Sequence, residues 1–236
     1  MSRTAIVTGG ARGIGEAITR RLHSLGYNVL VNYNTSEERA ITLKEELGVE
    51  IYKADVSDYN QVKDMVDYCV DRFGKIDLLV NNAGISSIKP FLDINEDEWD
   101  RLIAVNLKSI YNCSKNVLEY MINRKEGNII NISSMWGMVG ASCEVHYSTS
   151  KAGIIGFTKA LAKEFGPSNI RVNCISPGVI ASDMNNNLDL DELIEETPLG
   201  MIGQGNDIAE MVAYLDSDKA RFITGQNFGI NGGLIV

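Results

Sequence analysis

The sequence predicts an α/β protein built on a parallel sheet with helices on both faces. Short apolar, β-branched runs alternate along the chain with segments whose apolar residues recur at three- and four-residue spacing. A glycine-rich turn, Thr8-Gly9-Gly10-Ala11-Arg12-Gly13-Ile14-Gly15, follows the first of those runs. No Pro/Ser-rich linker and no composition break interrupts the alternation, so residues 1–236 are expected to form a single domain.

The elements follow in order. Ala5-Ile6-Val7 reads as the first buried strand and Glu16–Leu25 as the first helix. Val29-Leu30-Val31 leads to Glu37–Leu47, Ile51-Tyr52 to Tyr59–Phe73, and Leu78-Leu79-Val80 to one long helix over Glu96–Met121. Ile129–Ile132 precedes a helix over Tyr147–Phe165, and Val172–Ile175 reads as the sixth strand. A last helix over Asp207–Leu215 leads to a final strand within Phe222–Gly233. The least regular stretch, Ser182–Gly205, is too polar for core and follows the C-terminal end of a strand, where open α/β sheets bind their ligands. It reads as a mobile substrate lid or as a plain surface connection.

Composition narrows the function. A net charge of −9 with no basic run argues against sequence-independent nucleic-acid binding. No apolar stretch approaches the roughly eighteen residues of a membrane helix, and the N-terminus enters an apolar run at once, so neither a membrane anchor nor a signal peptide is expected. Cysteines 69, 113, 143 and 174 form no CxxC pair and no His lies at ligand spacing, which reads as reduced cytoplasmic thiols without a metal. The N-x-Ser sequons at Asn34, Asn112 and Asn131 are read as chance.

Two constellations carry chemistry. The glycine turn lies between a strand and a helix, so the helix N-terminus offers N–H groups and a positive dipole end to a pyrophosphate. Its Gly-x-x-x-Gly-x-Gly spacing is neither G-x-G-x-x-G nor a Walker loop. Asn81-Asn82-Ala83-Gly84 closes the fourth strand, where small residues admit a flat ring; an Asx turn is the plainer reading. Asp55-Val56 follows the third strand, and Asp55 can accept from an adenine amino group or cap the next helix. Tyr147 and Lys151, four apart on a helix, share one face, and an ammonium beside a phenol favours the phenolate. Ser134, at the end of the fifth strand, is placed to donate to a carbonyl oxygen beside that tyrosine, while alternation points Ser133 the other way. Together these describe hydride transfer on a carbonyl or alcohol.

With Thr8–Gly15, Asn81–Gly84, Asn106, Ser134, Tyr147–Lys151, Pro177-Gly178 and Gly232-Gly233 in this order, the chain resembles the short-chain dehydrogenase/reductase family over essentially its whole length. Within it the chain is most similar to bacterial 3-oxoacyl-[acyl-carrier-protein] reductases, through Thr8–Gly15, Ser182-Asp183-Met184 and Ile223-Thr224-Gly225-Gln226. The resemblance implies a Rossmann-type, doubly wound, seven-stranded parallel sheet in a three-layer α/β/α sandwich. It implies Tyr147 as proton donor, Ser134 polarising the substrate carbonyl, Lys151 holding the nicotinamide ribose and lowering the tyrosine pKa, and Asn106 anchoring a relay water. Cofactor contacts are then expected from Gly9, Gly10, Ala11, Arg12, Gly13, Ile14, Gly15, Asn32, Asp55, Val56, Asn82, Ala83, Gly84, Tyr147 and Lys151, with Pro177, Gly178, Val179, Ile180 and Ser182 walling the nicotinamide. NADP(H) is expected over NAD(H), because Val31-Asn32-Tyr33-Asn34 brings no acid to the ribose diol and Arg12 can pair with a 2′-phosphate.

The implied reaction is NADPH-dependent reduction of a 3-oxoacyl thioester, with reduction of another small ketone, sugar or steroid-like alcohol as the alternative and a non-catalytic dinucleotide sensor as the remote one. Acyl carrier protein is the expected partner. One of the family's two basic docking positions corresponds to Lys125, the other falls on Ser168, and a patch of Arg124, Lys125 and Arg171 would be needed against the net charge. A homotetramer is expected, since Lys151–Phe165 exposes small residues and Leu234-Ile235-Val236 is apolar. Glu144 and His146 can contact substrate, with a solvent-facing loop residue the plainer reading of His146, and Cys143 reads as packing.

Overall fold

The computed structural model describes residues 2–181 and 190–236. Strands β1 (Thr4–Val7), β2 (Asn28–Tyr33), β3 (Glu50–Lys53), β4 (Leu78–Asn81), β5 (Gly127–Ile132), β6 (Ile170–Pro177) and β7 (Asn227–Ile230) pair in parallel in the order β3-β2-β1-β4-β5-β6-β7. The helices are α1 (Gly13–Ser24), α2 (Glu37–Leu47), α3 (Tyr59–Phe73), α4 (Glu96–Ile103), α5 (Ser109–Arg124), α6 (Trp136–Val139), α7 (Val145–Phe165), α8 (Leu190–Glu196) and α9 (Gly205–Asp216).

Side-chain alternation along each strand feeds two cores. Ala5, Val7, Val29, Val31, Leu78, Val80 and Ile130 face Ile18 and Leu22 of α1 and Ile208, Val212 and Leu215 of α9. Ile6, Leu30, Leu79, Ile129 and Val172 face the other way, onto Val62, Met65 and Val66 of α3 and Val117 and Met121 of α5. Both faces of the sheet are thus covered, which is why its strands read as unbroken apolar runs. The expected three-layer, doubly wound architecture is the observed one.

The strand order reverses at β1, which lies between β2 and β4. The crevice beyond the C-terminal ends of β1 and β4 is where such sheets bind ligands. The turn after β1 and Asn82–Gly84 after β4 both open there.

Three elements differ from the sequence reading. The helix expected over Glu96–Met121 is interrupted by a π-helical turn at Ala104–Lys108, which carries Asn106. The four-residue α6 is new, and α8 occupies part of the stretch read as irregular. Ser182 and the rest of 182–189 lie outside the described residues, so the lid reading and the Ser182 contact fall there in part or whole. Two of the three sequons are closed to glycosylation by burial of Asn112 and Asn131. Among the described residues no helix is long and apolar enough to cross a membrane.

Candidate active site

The site begins with a stitch between two turns. The Thr8 hydroxyl accepts from the backbone N–H groups of Asn82 (3.0 Å) and Ala83 (3.1 Å), while the Asn82 amide donates to the carbonyls of Thr8 (3.0 Å) and Gly9 (3.2 Å). Asn32 closes the other side. Its Oδ1 accepts from the Gly9 N–H at 3.2 Å and its amide donates to the Ala54 carbonyl at 3.0 Å. The sequence reading gave Asn32 to the cofactor; the structure buries its side chain and uses it to fix the turn, leaving nothing of it open to a ligand.

Within the turn, Gly9 and Gly13 have φ of +60° and +54°, a conformation that side chains disfavour. At Gly15 a Cβ would meet the Gly9 carbonyl oxygen at 2.2 Å and the Asn82 amide at 2.6 Å. Gly10 is closed by the Val7 carbonyl and Thr19, Ala11 is buried core, and Ile14 is half-buried. Arg12 is the N-cap of α1 and makes no side-chain cap hydrogen bond, so the first N–H groups of the helix are left for another acceptor. Its guanidinium is exposed and has no partner among the described residues. A bare helix N-terminus, glycines that no Cβ can replace and a free guanidinium fit a phosphorylated dinucleotide.

At the far side of this crevice Asp55 does not cap α3; Asp58 does, accepting from Asn60 and Gln61. One Asp55 oxygen takes the Ser57 N–H (2.9 Å) and hydroxyl (2.6 Å), the other takes Arg101 at 3.0 Å. Burial pushes its pKa up, but these donors prevail and hold it below the usual range. An adenine amino group would share this carboxylate with Arg101. Val56 is buried, and its carbonyl accepts from Asn112 at 3.0 Å.

The second half of the site forms where β4, β5 and α7 converge. The Ser134 hydroxyl lies close enough to the Tyr147 phenol to lower its pKa, and the Ser134 oxygen accepts from the Trp136 N–H at 3.2 Å. Ser133 points away, as alternation requires, and donates to the Lys151 carbonyl at 2.7 Å. Lys151 is buried; its Nζ donates to the Ile132 carbonyl at 3.0 Å and lies 5.6 Å from the centre of the Tyr147 ring. Gly84 brings backbone to the same place, since a Cβ there would sit 3.4 Å from Asn106 Oδ1 and 3.6 Å from Lys151 Nζ. Asn106 is wholly buried: its amide donates to the Ile85 carbonyl (2.9 Å) and Ser150 (3.2 Å), and its Oδ1 accepts from the Ile85 N–H (2.8 Å).

Burial dominates the electrostatics. It pushes the Tyr147 phenol up to about 12, against the Ser134 hydrogen bond that lowers it and with Glu144 adding to the rise. Burial pulls the Lys151 ammonium down to about 8. The expected lowering of the tyrosine by Lys151 is not seen here, because the ammonium is turned to the Ile132 carbonyl.

Beyond the sheet, Pro177 ends β6 and accepts from the Met135 N–H at 2.9 Å. Gly178 packs on Asn231, where a Cβ would come within 2.7 Å of its Cα. Val179 is half-buried, while Ile180 is buried in the core beside α9.

Comparison with known proteins agrees with this arrangement. A family model described as enoyl-(acyl carrier protein) reductase matches residues 9–235. Proteins named 3-oxoacyl-[acyl-carrier-protein] reductase FabG are similar over nearly the full length: one from Staphylococcus epidermidis is 43% identical, covering 99% of this chain and 99% of its own. One from Chlamydia trachomatis is 41% identical and one from Thermotoga maritima 37%, each covering 99% of this chain and 98% of its own. The chain belongs to the short-chain dehydrogenase/reductase family.

As a short-chain dehydrogenase/reductase it is an oxidoreductase, and several of its residues depart from the sequence reading. His146 is not a solvent-facing loop residue. It is 1% exposed in the first turn of α7, packed toward α4, and its Nδ1 has no hydrogen-bond partner among the described residues. Burial lowers its pKa, with Glu98 opposing and Lys89 assisting. Arg124 donates to the Ile76 carbonyl (2.7 Å) and to Asp77 (3.0 Å), and Arg171 to the Leu215 carbonyl (2.6 Å). Of the patch Arg124, Lys125 and Arg171, only Lys125 keeps an exposed side chain outside the fold's own bonding. Cys143 is half-exposed with φ +59°, not packing, whereas burial pushes Cys69, Cys113 and Cys174 up to about 12 and keeps them thiols. The sequence reading missed Thr8 as the anchor of both turns. A threonine at the end of a first strand is the one sequence signal for it.

Proposed function

We propose that this chain reduces the ketone of a 3-oxoacyl thioester, carried on acyl carrier protein, to the 3-hydroxyacyl product in fatty-acid synthesis, using NADPH. The observation that carries the reading is the convergence of the Ser134 and Tyr147 hydroxyls beside a buried Lys151. Such a pair suits an oxygen that becomes an alkoxide, which a ketone provides and an isolated carbon–carbon double bond does not. The names of the relatives point to the same substrate.

Bound NADPH supplies the hydride. Thr8, Asn82 and Asn32 hold the cradle, the α1 N-terminus takes the pyrophosphate, and Arg12 takes the 2′-phosphate. Gly10, Ala11, Ile14, Asp55, Val56, Ala83, Gly84, Pro177, Gly178, Val179 and Ile180 border the path of the cofactor. Ser134 donates to the ketone oxygen and orients it; Tyr147 hydrogen-bonds the same oxygen and gives up its proton as the alkoxide forms. A phenol held as high as about 12 keeps its proton at neutral pH until that oxygen demands it. Lys151 holds the ribose and returns a proton to Tyr147. Asn106 spends both amide donors within the protein, so it holds a relay water through its backbone in the π-helical turn.

The protein works as a cytoplasmic homotetramer of one-domain subunits. Exposure of Ala152, Gly156 and Ala160 on one face of α7 supports close helix–helix approach. The test is NADPH oxidation by the purified protein against a carrier-linked 3-oxoacyl thioester and a panel of unlinked ketones and sugars. Preference for the thioester supports the reading; preference for an unlinked ketone replaces it.

A further inference from the structure

We infer that Asn131 and Thr158 are positioning residues for the proton transfer: the hydrogen bond between them sets the tilt of α7 on β5, and with it the place of Tyr147 relative to Ser134. The inference rests on Tyr147 as the proton donor and adds the contact that aims it.

The contact ends a line of buried hydrogen bonds that crosses α5, β4, β5 and α7. The Asn81 amide on β4 donates to the Ser114 hydroxyl of α5 at 3.3 Å and to Asn131 Oδ1 on β5 at 2.8 Å. The Asn131 amide donates in turn to the Thr158 hydroxyl of α7 at 2.9 Å. All four side chains are buried, and among the described residues none of their buried polar atoms lacks a partner. Leu79 and Ile129 stand two residues earlier on the same strand faces, so apolar side chains could have continued the core here. Apolar isosteres of a buried hydrogen-bonded pair can be nearly neutral in stability, whereas a satisfied network holds a single arrangement. Nor does the sheet need the last bond, since Asn81 and Asn131 are already register partners through the backbones of β4 and β5.

Lys151 is the fulcrum of α7. The Ser133 hydroxyl donates to its carbonyl at 2.7 Å, and Gly137 packs so closely that a Cβ there would meet the Lys151 carbonyl carbon at 2.7 Å. Thr158 lies seven residues beyond on the same helix face and Tyr147 four residues before, arms of about 10 Å and about 6 Å. A drift of about 1 Å at Thr158 then becomes about 0.6 Å at Tyr147. Misplacing a reacting group by about 1 Å costs about a hundredfold, so this drift corresponds to about tenfold in rate. The stitch of Thr8 and Asn82 that shapes the cofactor cradle lies off this lever.

The experiment compares Thr158→Val, which keeps the shape and loses the hydroxyl, with Thr158→Ser, which does the reverse. A double variant, Asn131→Leu with Thr158→Val, removes donor and acceptor together. Single-turnover reduction of a 3-oxoacyl thioester, thioester KM, NADPH affinity by fluorescence and melting temperature are measured for each. Thr158→Val and the double variant are expected to lose about tenfold in rate, with KM and NADPH affinity within about threefold of the parent. Thr158→Ser should stay within about threefold in rate, and the double variant should melt within about 5 °C of the parent. If the double variant melts lower, Thr158→Val against Thr158→Ser at a temperature where both are folded decides the matter. A parent-like rate in Thr158→Val, an equal loss in Thr158→Ser, or a loss that falls on NADPH affinity instead of rate overturns the inference. A parent that reduces an unlinked ketone but not the thioester removes the substrate reading alone, and the same comparison is then made on that ketone. A parent that reduces neither removes both.

Discussion

Lys151 places its ammonium 3.0 Å from the carbonyl oxygen of Ile132, two residues before Ser134 on the same strand end. That contact is what allows a buried lysine to stand beside Tyr147, and it offsets only part of the cost of burial. The folded lysine titrates at about 8, against an ordinary value of 10.5. Between those values the unfolded chain binds the extra proton, so this residue's share of stability rises with pH through that window and its penalty is full below it.

Lys151→Met should therefore be more stable than the parent at about pH 6.5. The charged form costs about 3 kcal/mol there, and loss of the Ile132 contact returns about 1, leaving a net gain of about 1–2 kcal/mol. The gain should shrink toward pH 10 while reduction is lost throughout. Urea melts of both proteins at two pH values check this. Comparing the two cancels Cys69 and Cys113, whose folded values of about 12 make stability fall at alkaline pH in parent and variant alike, whereas Cys174 loses in the variant the lowering that the Lys151 charge gives it, which shrinks the gain at alkaline pH further.

Gly15→Ala should break the cradle, since its Cβ would meet backbone oxygen at 2.2 Å. We expect a loss of about 1–3 kcal/mol in stability together with loss of NADPH binding. Thermal melts with and without NADPH read both effects, and the shift produced by NADPH should vanish.

Arg12→Ala should leave folding intact, because the guanidinium holds nothing among the described residues. Loss of a charge-assisted contact to the 2′-phosphate should raise KM for NADPH about tenfold to a hundredfold while that for NADH barely moves. Steady-state kinetics with both cofactors decides it, and an equal effect on both would remove the 2′-phosphate role.

The carrier-docking idea now separates into two variants. Arg124→Glu should unfold the protein more easily by about 2–4 kcal/mol, since it takes a donor from Asp77 and from the Ile76 carbonyl. Lys125→Glu should change stability by no more than about 0.5 kcal/mol. It should lower kcat/KM for carrier-linked substrate while sparing a small thioester analogue. Equal loss on both substrates would remove Lys125 from docking.

Much of this was readable in the sequence. Ala5–Val7 and Leu78–Val80 gave their strands away because both sheet faces are covered, and α2 and α3 run between αL glycines and polar starts at the expected residues. Ser134, Tyr147 and Lys151 converge because strand end and helix face fix them locally. What escaped depends on distant partners. The π-helical turn at Ala104–Lys108 leaves the three-and-four spacing almost undisturbed, so periodicity runs straight through it. His146 is buried by α4, some forty residues earlier in the chain. Arg124 and Arg171 look like surface charge until the carbonyls of Ile76 and Leu215 are in view. Asn32 looked open to ligand for the same reason: Gly9 and Ala54 claim it only once three strands are side by side.

The central claim is that Tyr147 delivers the proton to the ketone oxygen. The most direct measurement is single-turnover reduction of a 3-oxoacyl thioester by the NADPH complex of Tyr147→Phe, with NADPH affinity followed separately by fluorescence. We expect affinity within a few-fold of the parent and a rate lower by about 10²–10⁴. A variant that binds NADPH normally and keeps more than about a tenth of the parent rate would mean that another group is the donor.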